Sequence, residues 1–369
     1  MEIEVLQDRL TKSLNTVSRV AASTKAGLPI LSNILLRAEE KQLTLTATNL
    51  ELATVEFVNA ECKKSGIITV PARLLAEFVA NLPRGEKVLL KSKDDKLTIS
   101  AGKYKSIING ILADDFPELP KIDEKEAVIF KINVDIFKEA IGEVITACSN
   151  DTTRPALTGI YFNTFNNALY IAATDGYRLA DRKFVDNVKS EIKAIVPANA
   201  LQEVLRSISD DMTDVEILIA DAQIKFRLGE IEVTSKLIDA SFPDYRQLIP
   251  KKTDITLTLD KAELTRMTKV AALFARDAGG SIVCETKKED KTFLVYAVAS
   301  ELGENTAAME ADDATADGKI VLNSRFLLDA INATVEDKIS FGFSGKLAPV
   351  VIRNVKNQDY THIVMPLKS

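Results

Sequence analysis

The chain has 369 residues, of which 46% are hydrophobic and 27% are charged, and its formal net charge is −6. This length predicts two or three domains, and the net charge excludes a simple basic nucleic-acid binder, although positive charge gathered on one face could still hold nucleic acid. No stretch approaches the roughly 20 apolar residues of a membrane span, and the start MEIEVLQDRL lacks a secretory signal, so a cytoplasmic protein is expected.

The first elements along the chain are a short strand and an amphipathic helix. Residues 3–22 give a short apolar strand and then apolar positions at helical spacing, and residues 43–57 alternate as strands do. A second strand and helix follow in residues 67–83, where Pro71 separates the β-branched run from the helix. A proline-containing tail, DDFPELP, then closes this part of the chain.

The same order of elements recurs twice more. The matching segments are residues 130–149, 168–184 and 194–208, and then residues 255–274, 291–310 and 319–332. Pro71, Pro197 and Asn323 precede the three second helices at equal spacing. Each copy therefore predicts β-α-β-β-β twice, an α+β fold with two helices packed on antiparallel sheets. The predicted domains span residues 1–121, 128–250 and 254–369.

The segment IAATDGYRLA, residues 171–180, admits two interpretations. An Asp-Gly pair between apolar runs is a strong hairpin signal, because glycine adopts positive φ without a Cβ penalty. The same residues resemble a loop that presents polar groups at a site. The repeat places Asn49-Leu50 and Ser300-Glu301 at the corresponding turns, and Asp175 is absent from both, so a turn is a sufficient explanation.

The side chains on which most catalytic and metal sites depend are scarce. The sequence contains one histidine, His362, and three cysteines, Cys62, Cys148 and Cys284, none of them in a CxxC pair. Metal sites, disulfide frameworks and Ser-His-Asp triads therefore lack their residues, and no glycine-rich phosphate loop occurs. We expect buried thiols, a half-exposed His362 on a strand, no metal and no cofactor.

Five segments together resemble one known family. They are LPILSNILL (28–36), TRPALTGIYF (153–162), ATDGYRLA (173–180), SFPDYRQLIP (241–250) and HIVMPL (362–367). In this order and spacing, the sequence resembles the β subunit of bacterial DNA polymerase III, the sliding-clamp family, over the whole chain. The resemblance implies a head-to-tail homodimeric ring of six like domains, with helices lining the hole and sheets forming the outer wall.

The resemblance also implies a non-catalytic processivity factor in DNA replication. Its implied partners are duplex DNA without sequence preference, a second copy of the chain, the DNA polymerase III α subunit, the clamp loader and other replication and repair proteins with a clamp motif. A nucleoid-associated location follows. A closed ring needs only weak phosphate contacts, because escape requires the ring to open, so a net acidic chain is compatible with it.

Five basic residues are the candidates for facing DNA, and for each a solvated surface charge is the alternative. They are Lys25, Arg73, Arg154, Arg206 and Arg276. The charges on the predicted third helix oppose this expectation, because Asp135, Glu139 and Glu143 outnumber Lys138 there.

The family resemblance further implies a pocket near the junction of the second and third domains that receives a short peptide motif with apolar anchors. Carried over by motif, it would comprise Arg154, Leu157, Thr174, Gly176, Tyr177, Arg178, Leu179, Pro243, Gln247, Leu248, Asn323, Phe326, Leu347, Pro349, Ile363, Met365, Pro366 and Leu367. The alternative for Met365 and Leu367 is a place in the core of the third domain. The chain departs from the family at Gln247, where a basic residue is frequent, at Tyr177, where histidine is frequent, and in the added Lys368-Ser369.

A dimer seam is expected between the first domain of one copy and the third domain of the other. Its residues would be Phe78 and Leu82 on the second helix, opposite Leu273 and Phe274 on the fifth. Edge-to-edge strand pairing would continue the outer sheet across this seam.

Two other functions compete with the clamp. A hydrolase would use Asp175 or Asp244 with Tyr177 or Tyr245, but the paired groups that such a site needs are not evident. The second competing function is a scaffold of three repeats that does not close into a ring. The mass in solution would distinguish this scaffold from a dimer.

Overall fold

The first repeat contains two helices, each preceded by a strand and followed by antiparallel strands. The structure, a computed structural model, describes residues 1–22, 27–119, 122–300, 302–311 and 313–368. The elements of the first repeat are β1 (Glu2–Leu6), α1 (Gln7–Ala22), β2 (Asn33–Glu39), β3 (Gln42–Thr48), β4 (Leu52–Asn59), β5 (Glu61–Lys64), β6 (Gly66–Pro71), α2 (Ala72–Ala80), β7 (Lys87–Lys93), β8 (Lys96–Ala101) and β9 (Tyr104–Asn109).

The second and third repeats follow the same order without the short extra strand β5. The second contains β10 (Val128–Asn133), α3 (Val134–Ile145), β11 (Gly159–Phe165), β12 (Ala168–Thr174), β13 (Arg178–Asp186), β14 (Lys193–Pro197), α4 (Ala198–Ser207), β15 (Asp214–Ile219), β16 (Gln223–Leu228) and β17 (Ile231–Lys236). The third contains β18 (Ile255–Asp260), α5 (Lys261–Phe274), β19 (Ser281–Lys287), β20 (Thr292–Ala299), β21 (Gly303–Glu310), β22 (Gly318–Asn323), α6 (Ser324–Ala333), β23 (Lys338–Phe343), β24 (Val350–Asn354) and β25 (Tyr360–Val364). The predicted β-α-β-β-β order is confirmed in each.

Helices α2, α5 and α6 begin where the sequence supplies a cap or a proline. The Asp260 carboxylate accepts a hydrogen bond from the Glu263 amide at 2.8 Å at the start of α5. The Asn323 side-chain oxygen accepts from the Arg325 and Phe326 amides at the start of α6. These side chains satisfy amides that have no partner within the helix. Pro71 stands at the corresponding place before α2.

By its internal contacts the chain divides into two units, which cut across the repeats. Unit 1 consists of Met1–Val134 and Asn199–Leu237. Its larger sheet has the strand order β10-β15-β16-β17-β4-β3-β2-β6, and its smaller sheet has the order β5-β1-β7-β8-β9. α1 packs against α2 and against β3 and β4, so one face of the larger sheet carries the core and the other remains accessible.

Unit 2 consists of Asp135–Ala198 and Ile238–Ser369. Its larger sheet has the order β14-β11-β12-β13-β25-β24-β23-β18, and its smaller sheet has the order β21-β20-β19-β22. Leu264 and Met267 of α5 and Leu327 of α6 lie in one buried core with the strands of the third repeat. The antiparallel pairing of β13 with β25 brings the turn before β13 close to the segment after β25.

No helix in the described part of the chain is long and apolar enough to cross a membrane. The domain boundaries at residues 121–128 and 250–254 remain a prediction.

Candidate functional site

The turn between β12 and β13 is held by its own side chains. The Thr174 hydroxyl donates to the Arg178 carbonyl oxygen at 2.6 Å and accepts from the Gly176 amide at 3.1 Å. The Asp175 carboxylate accepts from the Tyr177 and Arg178 amides at 2.9 and 3.0 Å. Gly176 has a φ of 93°, which glycine adopts without strain. The hairpin interpretation of Asp175-Gly176 is therefore confirmed.

The buried Arg178 connects this turn to helix α6. Its Nε lies 3.0 Å from Asp175 Oδ2, and its Nη1 lies 2.5 Å from Asp329 Oδ2. The guanidinium carbon lies 4.7 Å from the centre of the Phe326 ring. Two ion pairs and a cation–π contact on a side chain that is 7% exposed fix the turn against α6.

An apolar surface lies over this framework. The Tyr177 ring stacks on Phe326 with centroids 6.2 Å apart and planes 21° apart, yet Tyr177 is 61% exposed. The Met365 amide donates to the Tyr177 carbonyl oxygen at 2.8 Å, and Met365 is itself 42% exposed. We call Tyr177, Phe326 and Met365 the aromatic–methionine surface. Its backbone is fixed while its side chains stay accessible.

Hydrogen bonds also fix Asn323 and Leu367 of the predicted pocket. The Asn323 side-chain Nδ2 donates to the Gly279 carbonyl oxygen at 3.1 Å, while the side-chain oxygen of the same residue caps α6. The Leu367 amide donates to the Val321 carbonyl oxygen at 2.8 Å, which ties the chain after β25 to β22. Arg154 Nη1 lies 3.5 Å from the place where a Cβ on Gly176 would stand.

The other residues of the predicted pocket fall into three groups by exposure. Thr174, Leu179 and Ile363 are buried, as is Arg178. Leu157, Pro349, Pro366 and Leu367 are half-buried. Pro243, Gln247, Leu248 and Leu347 are exposed, and Gln247 and Leu248 make hydrogen bonds within their own turn, to Asp244 and Tyr245. Met365 is accessible rather than a core residue, whereas Leu367 is partly covered.

Behind the surface lies a buried polar cluster that sequence reasoning missed. Arg182 Nε lies 2.9 Å from Glu143 Oε2, an ion pair outside hydrogen-bond geometry, and Glu143 is 1% exposed. Glu139 and Asp359 also lie within ion-pair distance of Arg182. Burial raises the pKa of Glu143 to about 7, although Arg182 acts in the opposite direction. No local pattern in the sequence indicated this pairing, because a charged residue in a strand normally indicates exposure.

His362 belongs to the same buried region. Its Nδ1 lies 2.7 Å from the Tyr360 hydroxyl, and that hydroxyl also donates to the Glu143 carbonyl oxygen at 3.3 Å. The expectation of a half-exposed His362 is wrong, because the residue is fully buried, although it does lie on a strand. Burial, with a contribution from Arg178, lowers the pKa of His362 to about 3. The expectation of buried thiols holds for Cys284, whereas Cys62 and Cys148 are half-buried.

The candidate DNA-facing residues that the structure describes are exposed. Arg73 on α2 pairs with Glu77 at 2.7 Å, and Arg154 pairs with Asp151 at 3.3 Å. Arg206 lies in the last turn of α4, and Arg276 follows α5. Lys25 lies outside the described residues. On α3, Glu143 is buried and so adds no charge to the surface of that helix, which weakens the earlier objection from its acidic residues.

The four predicted seam residues differ in accessibility. Leu273 on α5 is 58% exposed, while Phe78 and Phe274 are half-buried and Phe274 packs against the core of unit 2. The placement of Leu82 on the second helix is wrong, because α2 ends at Ala80 and Leu82 is buried. Ile107, which is not among the predicted seam residues, is exposed on the edge strand β9.

Three repeats of this order, each with two helices and antiparallel strands, define the class of clamp-type proteins. Sequence profiles of the DNA polymerase III beta subunit match the chain in three parts. The N-terminal domain matches residues 1–120, the central domain residues 131–244 and the C-terminal domain residues 246–368.

Individual relatives are similar along their full length. The beta sliding clamp of Staphylococcus aureus is 27% identical, with 100% of each chain covered. The crystal structure of the sliding clamp from Pseudomonas aeruginosa bound to griselimycin has a TM-score of 0.94 at 26% identity, and that from Bartonella birtlesii bound to griselimycin has 0.93 at 29%. Both cover 100% of both chains.

The chain belongs to the DNA polymerase III β-subunit family. It is a DNA sliding clamp for replication, a processivity factor that performs no catalysis, and its three clamp domains correspond to the three repeats. The hydrolase alternative is thereby set aside.

Proposed function

We propose that the aromatic–methionine surface binds a short linear peptide motif of replication and repair proteins. The observation that carries this proposal is the exposure of Tyr177 and Met365 over a backbone that is fixed by hydrogen bonds and ion pairs. Large apolar groups are rarely exposed together on a soluble protein without a partner. A rigid framework lowers the entropic cost of binding, and the flexible Met365 side chain adapts to different ligand side chains.

The ligand chemistry follows from the side chains on this surface. The stacked pair of Tyr177 and Phe326 favours an aromatic anchor, and the exposed Leu248 and Leu347 would add apolar area for a second one. A motif that ends in Leu-Phe or a similar pair meets both requirements. The remaining residues of the predicted pocket belong to the same proposal.

The test is fluorescence anisotropy with a labelled short peptide that ends in Leu-Phe. Tyr177→Ala and Met365→Ala should each weaken binding about tenfold or more, because both truncate central apolar anchors. Glu51→Ala is the matched control, since Glu51 occupies the equivalent position of the corresponding turn in unit 1. Unchanged affinity in Tyr177→Ala would refute the proposed surface.

We further propose that two copies form a head-to-tail ring in which the edge strand β9 of one protomer meets β21 of its partner. The exposed Leu273 on α5, Leu74 on α2 and Ile107 on β9 support this seam, because apolar groups beside an unpaired edge favour association. Leu273→Asp should give a monomer in sedimentation, whereas Leu50→Asp, also at an exposed leucine, should stay dimeric. A dimer that persists in Leu273→Asp contradicts the seam and favours another assembly.

In this proposal the ring encircles duplex DNA, and the basic candidates Arg73, Arg154, Arg206, Arg276 and Lys25 make weak contacts with phosphates. Enclosure explains how a chain of net charge −6 stays on DNA. The ring should be retained on a nicked circular plasmid and lost after linearisation. Equal loss from both forms would contradict enclosure.

The partners in this proposal are the DNA polymerase III α subunit, the clamp loader and other proteins with a clamp motif. The expected location is the cytoplasm, in association with the nucleoid.

A further inference from the structure

The accessible face of the larger sheet in unit 1 carries an open groove that the clamp function does not use. Its volume is about 720 Å³, and its floor includes Leu35, Val55 and Thr234 from three strands, while Phe116 and Leu119 line it from the chain segment after β9. Leu35 lies on the face opposite the buried Ile34 and Leu36, because successive residues of a strand point to opposite faces. The groove therefore lies on the side of the sheet away from α1.

Unit 2 contains the same arrangement of strands with larger side chains at the corresponding positions. β2 and β11 correspond in register, since Asn33 pairs with Pro71 and Gly159 pairs with Pro197. The position of Leu35 is thus occupied by Tyr161, which stacks on Phe242 with centroids 4.7 Å apart. Phe242 corresponds in the repeat to Phe116.

A second tyrosine of unit 2, Tyr245, corresponds to Leu119 of unit 1. Tyr245 is buried, and its hydroxyl donates to Asp181 Oδ1 at 2.7 Å and accepts from Asn163 Nδ2 at 3.1 Å. In unit 1, Val55 stands at the position of Asp181 and Arg37 at that of Asn163. The rings of Tyr161 and Tyr245 therefore have no counterpart at these positions of unit 1, and Leu35 and Leu119, which replace them, both line the groove.

The side chains that replace them indicate what the groove accepts. The floor is apolar where unit 2 holds a tyrosine ring, so an aromatic side chain fits there. Arg37 lies beside it with a half-exposed guanidinium and only a 3.4 Å contact to the exposed Glu39, which is a weak pair. A carboxylate next to the aromatic group would pair with Arg37. The exposed Asp114 and Glu118 favour a basic residue where the ligand passes the segment after β9.

We propose that this groove is a second peptide-docking site, which receives a partner segment with an aromatic residue next to an acidic one. The inference does not depend on the aromatic–methionine surface, because its residues all belong to unit 1. It gives the clamp two recognition surfaces of different chemistry on each protomer.

The experiment uses the full-length protein and the probe N-acetyl-Phe-Asp-amide, with binding measured by saturation-transfer NMR. Wild-type protein should bind the probe at millimolar concentration, and Leu35→Tyr with Leu119→Tyr should weaken binding at least about tenfold, because the new rings rebuild the filling of unit 2. Leu112→Tyr is the matched control, since Leu112 is exposed near the groove without lining it. Arg37→Ala should reduce binding of this probe and leave that of N-acetyl-Phe-amide unchanged.

Absence of binding to wild-type protein, or undiminished binding to the double tyrosine variant, would overturn the proposal. Loss of binding in Tyr177→Ala with retention in the double variant would also overturn it, because the probe would then bind in unit 2. Retained binding of the Leu-Phe peptide by the double variant shows that the protein is folded and keeps this result separate from the proposed function.

Discussion

The turns at Thr48–Leu52 in unit 1 and at Thr174–Arg178 in unit 2 have the same backbone and different side chains. The Thr48 hydroxyl and the Asn49 side-chain oxygen make the same four bonds as Thr174 and Asp175. The Glu51 carbonyl oxygen accepts from the Lys236 amide at 2.8 Å, just as that of Tyr177 does from Met365. The same hydrogen-bonded turn thus occurs in both units, and the proposed recognition surface is formed by the side chains that differ between them.

Two of the substitutions bring buried charge into unit 2. Leu52 in unit 1 is replaced by Arg178 in unit 2, which brings in the two ion pairs to Asp175 and Asp329. Further along the same strand, Glu56 is replaced by Arg182. Unit 2 therefore holds its strands with buried charge where unit 1 uses an aliphatic side chain and a single carboxyl.

The largest expected effect comes from removing the buried arginine. Arg182→Leu leaves Glu143 buried without its cation and should destabilise the protein by about 3–5 kcal/mol above pH 7, measured by chemical denaturation. Arg182→Leu with Glu143→Leu should recover most of this loss, because a buried ion pair replaced by apolar groups is often tolerated. Glu56→Gln at the equivalent place is the control and should have a small effect, since its Ser13 bond can persist. A small loss of stability in Arg182→Leu would show that the ion pair of Arg182 with Glu143 does not stabilise unit 2.

The buried cluster also predicts two opposite responses to pH. The pKa of Glu143 is raised from 4.5 to about 7, so its contribution to stability is full below pH 4.5 and is lost as the pH rises to 7. The pKa of His362 is lowered from 6.5 to about 3, so its contribution is present above pH 6.5 and is lost as the pH falls towards 3. Between pH 4.5 and 6.5 the two oppose each other.

Glu143→Gln should therefore lose stability more steeply than wild type between pH 6.5 and 4.5, by up to about 1.4 kcal/mol per pH unit. Thermal unfolding of wild type and Glu143→Gln across this range measures the difference between their slopes. Contributions that both proteins share cancel in this difference. Adding His362→Gln should restore the wild-type slope, because both opposing contributions are then removed. Identical slopes for wild type and Glu143→Gln would contradict the assignment.

Repeats and local patterns were sufficient to predict the order of elements and the turns. The apolar residues of each strand and helix recur at short spacing, and Asp175-Gly176 fixes its own turn through local hydrogen bonds. Both signals therefore lie within a few residues of the chain. The pocket residues were carried over from the family resemblance, and the surface at Tyr177 joins residues far apart in the chain.

The pairing of Arg182 with Glu143 could not be read from the sequence. It depends on which strand face meets α3, and a charged residue in a strand normally indicates exposure. The prediction that His362 is half-exposed was wrong for the same reason, since the burial of His362 depends on the strand packed beside it. Leu82 was misplaced because α2 ends two residues before it, although the apolar pattern continues to Leu82.

A third, smaller effect is expected at Arg178, where unit 1 has a leucine. Arg178→Leu removes both ion pairs and the contact with Phe326, and should destabilise the protein by about 1.5–3 kcal/mol in chemical denaturation. It should also weaken binding of the Leu-Phe peptide, because Tyr177 loses its support. Arg266→Leu is the control, since the pair of Arg266 with Glu263 is exposed and such pairs contribute about 0–1 kcal/mol. Equal losses of stability in the two variants would contradict the expectation that the buried ion pairs of Arg178 contribute more than an exposed pair.

The smallest effect is expected at the turn itself. Asp175→Asn copies Asn49, so its Oδ1 should still accept from the Tyr177 and Arg178 amides while the ion pair at Oδ2 is lost. Because Arg178 keeps Asp329, the loss should stay below about 1 kcal/mol. Asp175→Ala also removes the acceptor of both amides and should cost about 1 kcal/mol more. Hydrogen exchange at those two amides separates the cases: protection should persist in Asp175→Asn and fall in Asp175→Ala. If it fell equally in both, the charge rather than the shared hydrogen-bond pattern would hold the turn, and the correspondence with Thr48–Leu52 would concern shape alone.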